Sequence, residues 1–166
     1  MNNKCLIFDY LRHLSSNRGA MAALRCLLKS EQRFMGWPLL SHIGGIGNKA
    51  VETVAGLYAL HPLESTDSNY NFGDACRHLA INRKTSNVSE ESPFDRRFRR
   101  LLSCDTRDEL CLHLIDVVRG LKSANVPVNF ESLFDDIHWW GDVVRERWAV
   151  HYWSSRREEK SENVSD

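Results

Sequence analysis

The apolar side chains of this chain recur at helical spacing along almost its whole length. No segment shows the two-residue alternation of a half-buried strand. The sharpest case is Phe94, Phe98, Leu101 and Leu102, which fall at i, i+4, i+7 and i+8 and so form one apolar stripe on one rod. A chain patterned this way must cover helix with helix. The expectation is an all-α protein, a compact bundle of about eight helices.

Start and stop signals place the elements. A first helix covers roughly residues 3–15. A second runs from Arg18 to Met35, capped by Asn17 and ended by Gly36-Trp37-Pro38. Asn48 to Leu60 forms a third, closed by His61-Pro62, and a short helix covers Phe72 to Ile81. Ser92-Pro93 opens a helix with a cap followed by proline at the first helical position. Thr106-Arg107-Asp108-Glu109 is a capping box that starts a long helix to about Ser123. After the connector Asn125-Val126-Pro127-Val128, helices follow from Phe130 to Trp140 and from Asp142 to about Arg156. The polar residues 82–92 mark a mobile seam between an N-terminal half (1–84) and a C-terminal half (92–156). Residues 157–166 read as a disordered tail.

No run of about 18 apolar residues exists, and Asp9 interrupts the short apolar N-terminus. Cys5, Cys26, Cys76, Cys104 and Cys111 are odd in number and scattered, as in a protein with reduced thiols. A cytoplasmic protein without membrane contact is expected.

The 22 basic and 22 acidic residues cancel. Binding depends on where charge sits rather than on its sum. The first 30 residues hold five basic side chains and one acid; residues 121–166 hold six and nine. On a wheel at 100° per residue, Arg18, Arg25, Lys29 and Arg33 fall in one arc of the second helix, with Leu24, Leu27, Leu28 and Met35 opposite. Across from the Phe94 stripe stand Arg96, Arg97, Arg99 and Arg100, with Asp95 the one acid beside them. A guanidinium grips phosphate oxygens as a planar fork, which an ammonium cannot do. One such stripe is ordinarily a solvated face; two in a small chain point to polynucleotide backbones, held without reading bases. No helix-turn-helix, zinc-finger or RNP-type pattern is present.

Other constellations read as structural. Gly44-Gly45-Ile46-Gly47-Asn48-Lys49-Ala50 lacks the Gly-Lys-Ser/Thr order of a phosphate loop, and no strand leads into it, so it is a turn leading into a helix. Cys104, Cys111 and His113, or Cys76 and His78, lack metal-site spacing, and positions i and i+2 of a helix point apart. No metal or cofactor is expected. His113 with Asp116, and Asp135-Asp136 with His138, come without a nucleophile motif, so no enzymatic activity is expected. Trp140, Val144, Trp148 and Tyr152 recur every four residues and read as a buried seam; Trp37, Trp139 and Trp153 are assigned to the core with them, Trp139 least firmly.

The ordered set from Phe94 to Trp153 resembles the CasB family, the small subunit of the type I-E CRISPR surveillance complex Cascade. The set comprises an arginine-rich helix, an acid-rich helix start, a Leu-rich helix, Val-Pro-Val, a Leu-x-x-Asp helix ending in Trp-Trp, and an Arg-rich last helix. GWPLLSH, VAGLYALHP and NFGDACRHLA are weaker echoes in the N-terminal half, so the likeness spans roughly residues 15–153. The resemblance implies a non-catalytic antiviral-defence subunit that lies with a second copy of itself along the crRNA and target DNA and steadies the displaced strand of the R-loop beside other Cascade subunits. By position, Arg96, Arg97, Arg99 and Arg100 match the family's basic helix of the C-terminal half, and Arg25, Lys29 and Arg33 that of the N-terminal half. Arg119 and Lys122 extend the surface, and Arg145 and Arg147 lie in the last helix. This chain departs from the basic charge of many members. The rival expectation is a helical protein–protein scaffold that touches no nucleic acid.

Overall fold

A computed structural model describes residues 3–82 and 92–153; residues 83–91 of the expected seam and the tail at 157–166 lie outside them. Among the described residues the chain forms nine α-helices: α1 (Asn3–Leu14), α2 (Arg18–Arg25), α3 (Trp37–Leu40), α4 (Lys49–Leu60), α5 (Phe72–Asn82), α6 (Pro93–Leu102), α7 (Arg107–Ser123), α8 (Phe130–His138) and α9 (Asp142–Trp153). The all-α expectation holds. Among the described residues the β-pairing is one isolated bridge between Glu64 and Val128.

Helix α4 occupies the centre. Every residue from Ala50 to Ala59 is buried, so the helix is covered on every side, with Glu52 and Thr53 the polar members of an otherwise apolar rod. Helices α2, α7 and α8 pack against it. Asn48 caps it by accepting from the Val51 amide at 3.2 Å. The most extensive helix pair is α5 with α9. They approach to backbone contact, since a Cβ on Gly73 would lie 2.3 Å from the Trp148 carbonyl oxygen.

The α9 seam forms as its four-residue spacing predicts. Val144, Trp148 and Tyr152 are buried, and Trp140 is half-buried beside them. Trp148 packs on Phe72 at 5.0 Å and on Trp140 at 5.1 Å between ring centroids. Burying one such aromatic contributes about 3 kcal/mol. Two tryptophans assigned to the core are exposed instead: Trp139 at 74% and Trp37 at 36%. Helix α8 stops at His138, short of the expected Trp140, and Trp139 sits on its C-cap with its side chain outward.

The second expected helix is the main correction. It ends at Arg25, continues as a 3-10 turn over Cys26–Leu28, and Lys29 then adopts extended backbone (φ −111, ψ 117) before another turn at Arg33–Met35. Tertiary contacts explain the break. The chain doubles back so that Leu27 packs onto Gly36 and Leu28 onto Gly56 of α4, where an added Cβ would meet each leucine at 2.6 and 2.7 Å. The reversal also delivers Arg33 to Glu52.

The Val-Pro-Val connector clasps the loop after α4. Ser65 and Val128 exchange backbone bonds with Val128 and Leu63 at 3.0 Å, buried His61 donates from Nε2 to the Val126 carbonyl at 2.6 Å, and the Tyr70 hydroxyl donates to Pro127 at 2.7 Å. Arg12 adds a charged tie from α1. It pairs with Glu64 through two bonds of 3.0 Å and with Glu131 at 2.7 Å, and these carboxylates raise its already high pKa.

Candidate nucleic-acid interface

Helix α6 presents its arginines because its opposite side is locked. The Ser92 hydroxyl accepts from the Phe94 amide at 3.3 Å and Pro93 opens the first turn. Phe94, Phe98 and Leu101 are buried. Phe98 stacks on Tyr152 with centroids 3.9 Å apart and meets Trp153 edge-on at 5.3 Å. Asp95 is also buried and accepts the Tyr152 hydroxyl, so the one acid of the arginine run faces inward. With that side fixed, Arg96, Arg97, Arg99 and Arg100 lie exposed.

Helix α7 lies beside α6, and its outer face turns the separate cations into a set. Arg97 and Arg100 line a depression of about 400 Å³ together with His113, Asp116 and Val117. On the other flank of α7, Arg25 and Lys29 share a depression of about 320 Å³ with Leu112, Ile115, Asp116 and Arg119. Asp116 borders both. Five cations from three separate segments therefore edge two adjoining hollows along one face: Lys29, Arg25, Arg119, Arg97 and Arg100. Asp116 pairs with Arg119 at 3.2 Å, but both side chains are more than half exposed. An exposed pair at this spacing is worth about 0.3–0.5 kcal/mol, so a phosphate can displace the carboxylate. Arg25 also donates to the Ala59 carbonyl at 3.3 Å, which leans its stem against the end of α4 while the residue stays exposed.

The remaining expected cations divide into outliers and structural groups. Arg18 at the start of α2, Arg96 and Arg99 on α6, and Lys122 in the last turn of α7 are exposed but line neither hollow. Arg33 is committed inward: its Nη2 lies 2.7 Å and its Nε 2.9 Å from Oε2 of Glu52, which is 2% exposed. The other Glu52 oxygen accepts the Gly47 amide at 3.0 Å. Gly47 reaches it from a left-handed turn (φ 79), which explains a glycine there. Arg145 is half-buried, pairs with Asp142 at 3.0 Å and Asp105 at 3.6 Å, donates to the Cys104 carbonyl, and lies over the Trp140 ring at 5.5 Å. Arg147 pairs with buried Asp136 at 3.1 Å. Sequence reasoning missed the contribution of Asp116 and of exposed Leu112. Its one signal was the i, i+3 run His113–Asp116–Arg119 on the side of α7 opposite buried Leu110, Leu114 and Leu121.

Several ionisable groups are shifted by burial. Burial pushes the Cys76 and Cys111 thiols up and raises Cys104 to about 11, with Glu109 adding to the last effect. Such thiols are protonated and inert as nucleophiles at neutral pH. His78 is lowered by burial and by neighbouring Arg77.

The fold and site together define an all-helical protein with a segregated cationic surface. Across residues 20–153 the sequence matches the family described as CRISPR-associated protein Cse2, and the chain belongs to that family. Solved structures share its fold. M. ruber CasB is 21% identical, with 99% of each chain covered and a TM-score of 0.72. CasB from Thermus thermophilus is 22% identical over 93% of this chain and 99% of that one, with a TM-score of 0.68. A chain of a structure described as a CRISPR RNA-guided surveillance complex is 16% identical over 99% and 97%, with a TM-score of 0.73. No curated protein sequence matches the chain.

Proposed function

We propose that this chain is a non-catalytic subunit of a type I-E CRISPR Cascade complex in the cytoplasm. It holds crRNA, target and displaced-strand backbones along the face that runs from Lys29 and Arg25 through Arg119 to Arg97 and Arg100. Family membership supports the assembly. The observation that carries the contact surface is the convergence of five cations from three segments on two hollows that share Asp116. Other Cascade subunits and a second copy of this chain complete the assembly.

The mechanism is electrostatic. Exchanging a DNA duplex for a guide–target duplex is nearly balanced in energy, so a few backbone contacts decide how far the R-loop opens. Each guanidinium that neutralises a phosphate releases a condensed counterion. The affinity then falls with salt by about 0.7 in logarithmic slope per contact on a single strand. Base pairing with the guide reads the sequence, so the protein has no need of base contacts.

The test is charge reversal of Arg97 and Arg100 within the assembled complex. R-loop formation at about 0.15 M salt should weaken at least roughly tenfold, and the salt slope should become shallower by about 1.4. A variant that assembles normally and opens the R-loop as the native chain does would overturn the reading in favour of a scaffold. A scaffold would also give no salt-sensitive crosslinks between this face and nucleic acid.

A further inference from the structure

The corner between α6 and α7 brings together three side chains of different chemistry. Cys104 lies in the connector, and Glu109 and His113 lie one turn apart on α7. The Cys104 Sγ, a Glu109 carboxylate oxygen and a His113 ring nitrogen are all within 4.8 Å of one another. From this geometry we propose that Cys104, Glu109 and His113 form a three-residue site for a thiophilic divalent metal ion such as Zn²⁺.

Two features preorganise the trio. The Thr106 hydroxyl accepts the Glu109 amide at 3.2 Å and fixes the start of α7. Glu109 then reaches back past its cap, and its Oε2 accepts the Asp105 amide at 3.0 Å. A capping box normally returns this bond to the cap residue itself. Here it goes one residue further and draws the carboxylate toward Cys104. Glu109 and His113 stand at i and i+4, the separation at which two side chains of one helix share a ligand. The thiol is completely buried, the imidazole half-buried and the carboxylate exposed, so the site is open to solvent on one side.

Thiolate, imidazole and carboxylate together select zinc or a similar borderline metal rather than magnesium or calcium. Bonds of about 2.0–2.3 Å would set the donors roughly 3.5 Å apart, so donors that now lie within 4.8 Å of one another need close in by no more than about 1.3 Å. The exposed Glu109 side chain can supply that movement. Three protein ligands leave a fourth position for water. On binding, Cys104 gives its proton to solvent and forms the sulfur–metal bond. The proton now engages the Arg100 carbonyl at 3.3 Å. The trio then changes from a net charge of −1 to zero, one charge more positive beside Arg97 and Arg100, which share a hollow with His113. Arg145, whose guanidinium donates to the Cys104 carbonyl, joins these two in opposing the incoming cation; the thiolate and carboxylate outweigh all three at closer range. The ion would clamp the C-terminal end of α6 to the first turns of α7. This site does not depend on the polynucleotide reading.

Titration of the untagged full chain with Co²⁺ tests the proposal. One equivalent should bind with a thiolate-to-metal charge-transfer band and tetrahedral visible absorption. Zn²⁺ should displace it, and at about a hundredfold excess over its dissociation constant should raise the melting temperature by about 5–10 °C. Cys104→Ser should abolish the charge-transfer band. Glu109→Gln, which keeps the acceptor for the Asp105 amide, and His113→Asn should each weaken binding at least roughly tenfold. The last two alter accessible positions, so they remain informative if the buried Cys104→Ser change unfolds the chain. Cys5→Ser, at an exposed thiol in α1, should change nothing. Absence of binding by the native chain overturns the site. So does binding that persists in both Glu109→Gln and His113→Asn, or that is lost in Cys5→Ser.

Discussion

Two segments of this molecule carry the same sequence pattern and end in different structures. Residues 18–35 and residues 93–102 both set cations opposite apolar side chains at helical spacing. The second is one straight helix whose apolar stripe is buried and whose four arginines lie outside. The first breaks after Arg25 and sends Arg33 to a carboxylate that is 2% exposed. The lesson is that an amphipathic pattern reports which side chains avoid the core, not whether a cation faces water or a buried acid. The difference lies in what each segment meets. Helix α6 meets aromatic rings of α9, which receive Phe94 and Phe98. The other segment meets α4, where Glu52 has been buried and requires a partner.

The comparison can be tested most strongly at Arg33. Arg33→Ala leaves the Glu52 carboxylate with only the Gly47 amide. Breaking a fully buried pair costs about 3–5 kcal/mol, and the half-exposed Arg33 brings this to about 2 kcal/mol. The melting temperature should fall by about 4–8 °C. An unchanged melting temperature would remove the distinction between the two segments.

A smaller effect is expected where the first segment rejoins the basic face. Arg25→Glu with Lys29→Glu should weaken nucleic-acid capture by the assembled complex roughly tenfold, about 1.4 kcal/mol, with the same flattening of the salt slope as the Arg97/Arg100 pair. If only the α6 pair matters, the hollow lined by Arg25, Lys29 and Arg119 is not part of the track.

Next is a pH effect at α8. Asp136 accepts the Trp148 indole N–H at 2.7 Å and Arg147 at 3.1 Å, yet burial outweighs both and raises its pKa. Between the ordinary carboxylate range and that raised value, the folded chain holds a proton that the unfolded chain has lost. This group's contribution therefore favours the folded state at the acid end of the window and declines as pH rises through it. Urea midpoints measured across that window should show a downward slope with pH that Asp136→Asn flattens. A slope that survives the substitution assigns it to other groups. The smallest effect should come from Arg97→Ala, whose stability should stay within about 0.5 kcal/mol of the native chain by urea denaturation, since its side chain supports no buried acid.

Much of the fold is legible in the sequence. Asn17, Ser92 and Thr106 cap α2, α6 and α7 as their positions indicate, because a cap depends only on the local backbone. The Trp140-to-Tyr152 seam is readable for the same reason, as four-residue spacing on a rod places side chains on one side whatever lies opposite. Trp139 and Trp37 were not readable: size favours burial, but only the neighbouring elements decide whether a surface exists to receive the ring. The basic surface was legible as a set of cations and not as a place. Nothing local links Lys29 to Arg97, and Arg33 and Arg145 carry the same charge as their exposed counterparts while serving the protein's own acids and carbonyls.

By itself, the sequence determined helix content, most helix starts, the apolar stripes and the family, all properties of residues within one or two turns of each other or of their order along the chain. Only the tertiary structure decided which cations face outward together, where Glu52 draws Arg33 inward, and that Cys104, Glu109 and His113 meet. Those outcomes depend on desolvation and on distances between segments far apart in sequence. Burial makes an unpaired charge costly and recruits whichever opposite charge the packing brings within reach.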